Sequence, residues 1–202
     1  MKQILLIITL LLTSLSLHAQ LGPYDQMKVE YDSLRKEKKY EEALVIAKQM
    51  SAWALANETD TSLNYAVSFR HMGTCFYHLK ELDSTKKYLQ LSMHALKVQN
   101  RKNHLDYFIN LSKLGSMYWA MHDYKVAETY YKQSLENFKK VIGEEHPDYA
   151  SILAKLGSLY WYMGDYKAAE NYYKRATEIR KKVLGEEHPD YAGTLDYLGT
   201  LY

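Results

Sequence analysis

Leu156-Gly157-Ser158-Leu159-Tyr160, then Gly164-Asp165-Tyr166-Lys167-Ala168-Ala169-Glu170 and Tyr172-Tyr173-Lys174, is the stretch that decides how this chain folds. Nearly the same wording stands one unit earlier, as Leu114-Gly115-Ser116-Met117-Tyr118, Asp123-Tyr124-Lys125-Val126-Ala127-Glu128 and Tyr130-Tyr131-Lys132. Gly73, Gly115, Gly157 and Gly199 recur every 42 residues, and three other columns keep that step: Tyr65, Tyr107, Tyr149, Tyr191; Tyr40, Leu82, Tyr124, Tyr166; and Ala43, Thr85, Ala127, Ala169. A fixed period of this length marks a solenoid, in which no unit buries its apolar face alone and neighbours stack into one continuous core.

Within a unit the apolar spacing is helical. Ile152, Leu153, Leu156, Leu159 and Tyr160 recur at three and four residues and predict a first helix over about Pro147 to Met163. Met163-Gly164-Asp165 reads as the turn. A second helix follows over about Tyr166 to Leu184, with Gly185 as a left-handed cap. Pro189 suits a first helical turn, and Asp148 and Asp190 sit near the positive ends of helix dipoles. The small glycine and alanine columns are expected to meet where the two helices cross. The fold class that follows is all-α, a right-handed α-solenoid of antiparallel helix pairs. Its units are a degenerate first repeat at 24–56, repeats at 62–98, 104–142 and 146–184, and a first helix alone at 188–202. Tyr31 fills the glycine column of the first unit, so that unit must pack differently. Because no second helix follows Tyr202, Leu198, Leu201 and Tyr202 are expected to face water, as in a fragment of a longer array.

Residues 1–19 read as a secretory signal peptide. Met1-Lys2-Gln3 supplies a positive start, Ile4 to Leu17 an apolar run too short to span a bilayer, and Leu17-His18-Ala19 a small-residue cleavage site. The expected location is therefore the periplasm, the cell surface or the medium, with no membrane association after cleavage. The one cysteine, Cys75, lies inside a predicted helix and is expected to be a buried thiol.

With 26 basic and 24 acidic residues the formal charge is +2, and the charges look scattered over exposed helix faces, which argues against a nucleic-acid partner. The repeated His-x-Asp at His146 and His188 falls at helix starts and reads as structure, so no metal site is assigned. No phosphate loop, zinc spacing or nucleophile motif is present, and neither a catalytic residue nor a cofactor is expected.

Geometry supplies a binding face instead. With residues at about 100° steps around the first helix, Leu153, Leu156 and Tyr160 form the core side. The columns three before, one after and five after the glycine turn away from the second helix. They hold Arg70 and Ser112; Thr74, Ser116 and Ser158; and His78 and Tyr162. Tyr77, Trp119 and Trp161 lie between groove and core. Small hydroxyls flanked by aromatics suit an extended or helical peptide. The three aromatics have a second reading, as wedges between adjacent repeats.

Leu-Gly-x-Leu-Tyr, Gly-Asp-Tyr-Lys-Ala-Ala-Glu-x-Tyr-Tyr-Lys and Leu-Gly-Glu-Glu-His-Pro-Asp-Tyr-Ala, all within Leu156 to Ala192, resemble the tetratricopeptide repeat, in its longer kinesin-light-chain-like form found in many bacterial proteins. The resemblance implies a protein-binding or peptide-binding scaffold without catalysis. Two other readings stay open: a docking or sensing arm of a longer protein whose C-terminal effector is a CHAT-type protease, a sensor histidine kinase or a transcriptional regulator, and an array that self-associates through its C-terminal end. Relatives of this kind carry an asparagine three residues before the small column; here that column holds Arg70, Ser112, Ala154 and Asp196.

Overall fold

A computed structural model of the protein describes residues 21–60 and 62–201, and the described residues contain nine α-helices and no strand. They are α1 (Pro23–Lys36), α2 (Tyr40–Asn57), α3 (Leu63–His78), α4 (Leu82–Val98), α5 (Leu105–Ala120), α6 (Tyr124–Val141), α7 (Pro147–Tyr162), α8 (Tyr166–Leu184) and α9 (Pro189–Gly199). Each helix packs on the next in the chain. The first helices of neighbouring pairs also touch, α3 on α5 and α5 on α7, so one face of the solenoid is built from odd-numbered helices.

The turn inside each pair repeats atom for atom. Backbone N–H groups of Lys39, Glu81, Asp123 and Asp165 donate to the carbonyls of Leu34, Phe76, Tyr118 and Tyr160, satisfying the end of the first helix. The Asp123 and Asp165 carboxylates then accept from the N–H groups of Val126 and Ala168, capping the second helix. The residue before each of these four takes a positive φ: Lys38 at 61°, Lys80 at 67°, His122 at 61° and Gly164 at 80°. Only the fourth is glycine, the residue that takes this conformation without steric cost. Helix starts repeat too. The Nδ1 atoms of His104, His146 and His188 accept from the N–H groups of Asp106, Asp148 and Asp190 at 3.3, 3.1 and 3.1 Å, so the His-x-Asp pairs are caps. Gly185 has φ 88° but ψ 165°, which is not the left-handed helical cap expected of it but an extended conformation open to glycine alone.

The glycine column does not meet the alanine column. A Cβ at Gly115 would lie 2.7 Å from the Tyr131 ring, one at Gly157 2.6 Å from the Tyr173 ring, and one at Gly73 3.1 Å from the Leu89 side chain. A phenol, with its large apolar area, fills the gap at Gly115 and at Gly157, and a leucine fills it at Gly73; the alanines are buried. One turn on, Phe76 on Tyr88, Tyr118 on Tyr130 and Tyr160 on Tyr172 stack with centroids 5.2, 5.5 and 5.3 Å apart.

The first pair solves the same volume in reverse. Tyr31 stands in its glycine column and Ala47 in the column of Leu89, Tyr131 and Tyr173; both are buried in one core cluster, at 1% and 0% exposure. Large and small have changed helices. The Tyr31 hydroxyl donates to the His71 carbonyl at 3.3 Å and its ring lies 4.1 Å from the His71 ring, which ties α1 to α3. Cys75 is fully buried beside it, and burial pushes its thiol up to about 11. On α9, Leu195 and Tyr197 are the exposed large apolar residues, whereas Leu198, and Leu201 just past the helix, are half-buried. Tyr202 and the segment read as a signal peptide lie outside the described residues. No helix among the described residues is long and apolar enough to cross a membrane.

Candidate functional site

Three adjoining cavities run along the face built by the odd-numbered helices. The first, of about 300 Å³, lies between α3 and α5 against α4, and is lined by Gly73, Thr74, Tyr77, His78, Thr85, Leu89, Lys113, Ser116 and Lys155. The second, about 330 Å³, takes in Tyr77, Ser116, Trp119, Tyr131, Lys155, Ser158, Tyr162 and Tyr197. The third, also about 330 Å³, lies between α7 and α9 over Ser151, Ala154, Lys155, Ser158, Arg180 and Tyr197. Lys155 borders all three, so they form one groove.

Seven of the ten residues expected to line a groove do so: Thr74, Tyr77, His78, Ser116, Trp119, Ser158 and Tyr162. The other three are placed elsewhere. Arg70 reaches across to Asp106 on α5, its guanidinium 3.0 Å from the carboxylate, and joins two repeats. Ser112 is buried and accepts from the Lys155 amine at 3.2 Å. Trp161 is 38% exposed, stands edge-on to Tyr162 and lines none of the three cavities. Trp119 joins both readings of the aromatic column: it borders the second cavity, yet it also packs on the core of α5 to α8.

The hydroxyl column is less free than its spacing implies. Tyr131 donates to Ser116 and Tyr173 to Ser158, each at 3.0 Å, while both serines donate to carbonyls of their own helix at 3.2 Å. Their capacity is largely used inside the protein. Thr74, the equivalent on α3, donates to the Arg70 carbonyl at 2.8 Å, and the residue of its repeat that stands where Tyr131 does is Leu89, which has no hydroxyl to give it. The first cavity opens at that place. His78 caps its rim, stacked on Tyr40 at 4.1 Å, and burial followed by the nearby Lys113 charge pushes its imidazole below the usual histidine value.

Two lysines on this face were not singled out from the sequence. Lys113 and Lys155 stand two residues before their glycines, in a column that also holds His71 and Tyr197. Both are half-buried and both amines reach the groove. Lys155 donates to Ser112 and Ser116 at 3.2 and 3.0 Å and lies 5.7 Å over the Tyr131 ring. Burial, and then the Arg70, Lys155 and Arg35 charges, bring Lys113 down to about 7; burial brings Lys155 down to about 8. Charge in this chain is thus not only scattered over outer faces: a near-neutral total conceals two cationic groups converging on one groove. Their signal was available, because a lysine in the same register of two consecutive A helices is a periodic feature of its own.

Residues 106–182 match the tetratricopeptide repeat family model. They belong to the tetratricopeptide repeat family. Among solved structures, the chain is similar to BtubC (BKLC) from P. vanneervenii, with a TM-score of 0.75 and 22% identity over 88% of this chain and 71% of that one. It is also similar to a Podosopora anserina protein described as a kinesin light chain with nearly identical TPR-like repeats, with a TM-score of 0.67 and 16% identity over 91% of this chain and 88% of that one. These likenesses establish the solenoid. A search of curated protein sequences gave no match. Tetratricopeptide folds are in general protein-interaction scaffolds.

Proposed function

We propose that this tetratricopeptide array binds an extended segment of another protein in the groove of α3, α5, α7 and α9, and that it does so without catalysis. The observation that carries the reading is the continuity of the groove: three cavities meeting at Lys155, walled by Tyr77, Trp119, Tyr162 and Tyr197. Rigid aromatic walls supply contact area at little entropic cost, and pockets at regular spacing suit side chains that alternate along an extended backbone. Lys155 serves as a donor there to Ser112 and Ser116, Ser116 in turn donates to the Ser112 carbonyl, and no carboxylate among the described residues stands within ion-pair distance of the Lys113 or the Lys155 amine. We further propose that the chain works outside the cytoplasm, on the strength of the n-region, apolar run and Ala19 site at its start.

The test is a peptide selected from a random library on the full chain. His78→Ala and Tyr162→Ala change groove residues on the exposed rim and are expected to weaken it about tenfold or more, whereas Trp161→Ala leaves it unchanged. Equal loss in all three variants, or loss in Trp161→Ala alone, contradicts the groove.

A further inference from the structure

The outer side of α4 reverses a charge pattern that the next two repeats keep. Three columns hold glutamate in those repeats: Glu128 and Glu170, Glu136 and Glu178, Glu144 and Glu186. Lysines of the same repeats pair with them, Lys132 at 2.5 Å from Glu128, and Lys174, Lys140, Lys139 and Lys181 at 2.6 Å from Glu170, Glu136, Glu144 and Glu186. One repeat earlier the three columns hold Lys86, His94 and Lys102. No acid stands between Asp83 and Asp106, while Lys86, Lys87, Lys97, Arg101 and Lys102 do. Lys97 keeps the register of Lys139 and Lys181 but has Lys102 where they have a glutamate.

A cationic cleft results. On the side of α4 turned away from the buried Thr85, Leu89, Ser92 and Leu96 lies a cavity of about 660 Å³, bordered by Lys86, Lys87, His94 and Lys97 together with Leu91 and Met93 and reaching Tyr130 on α6. Asp83 is the one acid on its border, and no carboxylate among the described residues stands within ion-pair distance of the three lysine amines. They lie over rings instead: Lys86 is 5.8 Å from the Tyr118 centroid, Lys87 5.7 Å from that of Tyr88 and Lys97 5.9 Å from that of Tyr107. Tyr160, the counterpart of Tyr118, donates its hydroxyl to Glu128, the counterpart of Lys86. Exposed ion pairs add little to stability, so the fold neither requires the glutamates nor accounts for cations in their place. An acid supplied from outside does.

We propose that the outer cleft of α4 docks an acidic helical segment of a partner protein, at a surface separate from the groove of the odd-numbered helices. Lys86 and Lys97 are three helical turns apart, so their side chains leave one side of α4 about 16 Å from each other. A helix laid alongside has the same rise per residue, and carboxylates repeated at three- and four-residue steps along its face meet the ammoniums in phase. Leu91, 37% exposed on the same border, offers an apolar anchor point between the charges. The site is a cleft along one helix and not a broad basic plane, which favours a protein segment over a lipid surface. No arginine lines it, the side chain that forks onto phosphates.

The probe is an acetylated, amidated peptide of two Glu-Ala-Gln-Leu-Glu-Ala-Gln units and a final Glu, which puts its acids on one helical face. Its controls are the same peptide with Gln at every Glu, and a shuffled peptide of identical composition whose acids are spread around the helix. Fluorescence anisotropy on the full chain should show the patterned peptide binding about tenfold tighter than either control, and losing about tenfold as salt rises from about 50 to about 500 mM. Lys86→Glu with His94→Glu and Lys102→Glu installs the residues that the third and fourth repeats already carry. That protein should keep its melting temperature, lose about tenfold or more in affinity for the patterned peptide, and bind instead the peptide with Lys at every Glu. If it melts early, Lys86→Gln with Lys97→Gln gives the same readout at about threefold loss. Equal binding of the patterned and glutamine peptides, or unchanged affinity in the substituted proteins, overturns the site. Equal binding of the patterned and shuffled peptides contradicts a helical partner. Phosphatidylserine vesicles or a single-stranded oligonucleotide that bind more tightly than the peptide, and lose that binding with the same substitutions, overturn the protein partner in favour of a lipid surface or a nucleic acid.

Discussion

The second and third helix pairs are built to one plan and differ at one decisive position. On α3/α4 the glycine gap is filled by Leu89; on α5/α6 it is filled by Tyr131. The phenol closes the gap, reaches Ser116 with its hydroxyl and finishes the wall at 3.0 Å. The leucine is shorter and apolar. It leaves Thr74 without that partner and a cavity of about 300 Å³ above it, with Lys113 and Lys155 on its border. A repeat array therefore makes a site by omission: the period supplies the wall, and one shortened side chain supplies the opening.

The largest expected effect sharpens that contrast through the glycines. Gly115→Ala or Gly157→Ala drives a methyl against a buried tyrosine ring at 2.7 or 2.6 Å and should cost about 2–3 kcal/mol, read by denaturant unfolding. Gly73→Ala meets Leu89 Cδ2 and Cγ at 3.1 Å, a looser contact than at the two tyrosine rings, and should cost about 1 kcal/mol. Gly199 has nothing within 4 Å, so Gly199→Ala should be neutral or gain up to about 1 kcal/mol from helix propensity. Equal costs at all four positions would break the comparison.

A second expectation concerns pH. Lys113 and Lys155 are held near 7 and 8 in the fold against an ordinary 10.5, so between those values the unfolded chain binds more protons and stability rises with pH. Above about pH 10 the sign reverses, because burial holds Tyr24, Tyr31 and Tyr131 above the usual phenol value and the unfolded chain ionises first. The melting temperature should climb from about pH 7 to about pH 9.5 and then fall, with the lower limb flattened in Lys113→Met. A monotonic fall from neutrality would contradict the placement of these lysines.

The smallest effect lies in the turns. His122 occupies at φ 61° the position that Gly164 fills one repeat later, and His122→Gly should stabilise the chain by about 1 kcal/mol. Loss of stability would mean that the 2.9 Å contact between His122 Nδ1 and the Tyr124 hydroxyl outweighs the backbone strain.

Most of the fold was legible because the period is carried by residues with a single mechanical purpose: glycine in a gap, aspartate at a turn, proline at a helix start. Leu153, Leu156 and Tyr160, placed by angle alone, do face the core. What a glycine packs against was not legible, since the partner lies on another helix and only relative placement shows that it is Tyr131 rather than Ala127. The Tyr31 and Ala47 exchange escaped for the same reason: a large residue in a small column looks like a defect until the small residue opposite is found. In the groove, spacing located Thr74, Ser116 and Ser158 but not their hydrogen bonds, and so overstated how much of the hydroxyl column is free. The lysines were missed because summed charge averages away what two neighbouring helices bring together.

Leu89→Tyr tests the central claim most directly, since it installs in the second repeat the side chain that the third and fourth already accommodate. Measured on the full chain with a library-selected peptide, it should keep or raise the melting temperature, because Tyr131 and Tyr173 show that the phenol fits over a glycine, and it should abolish binding by filling the first cavity. Unchanged affinity in a folded Leu89→Tyr protein would contradict the account.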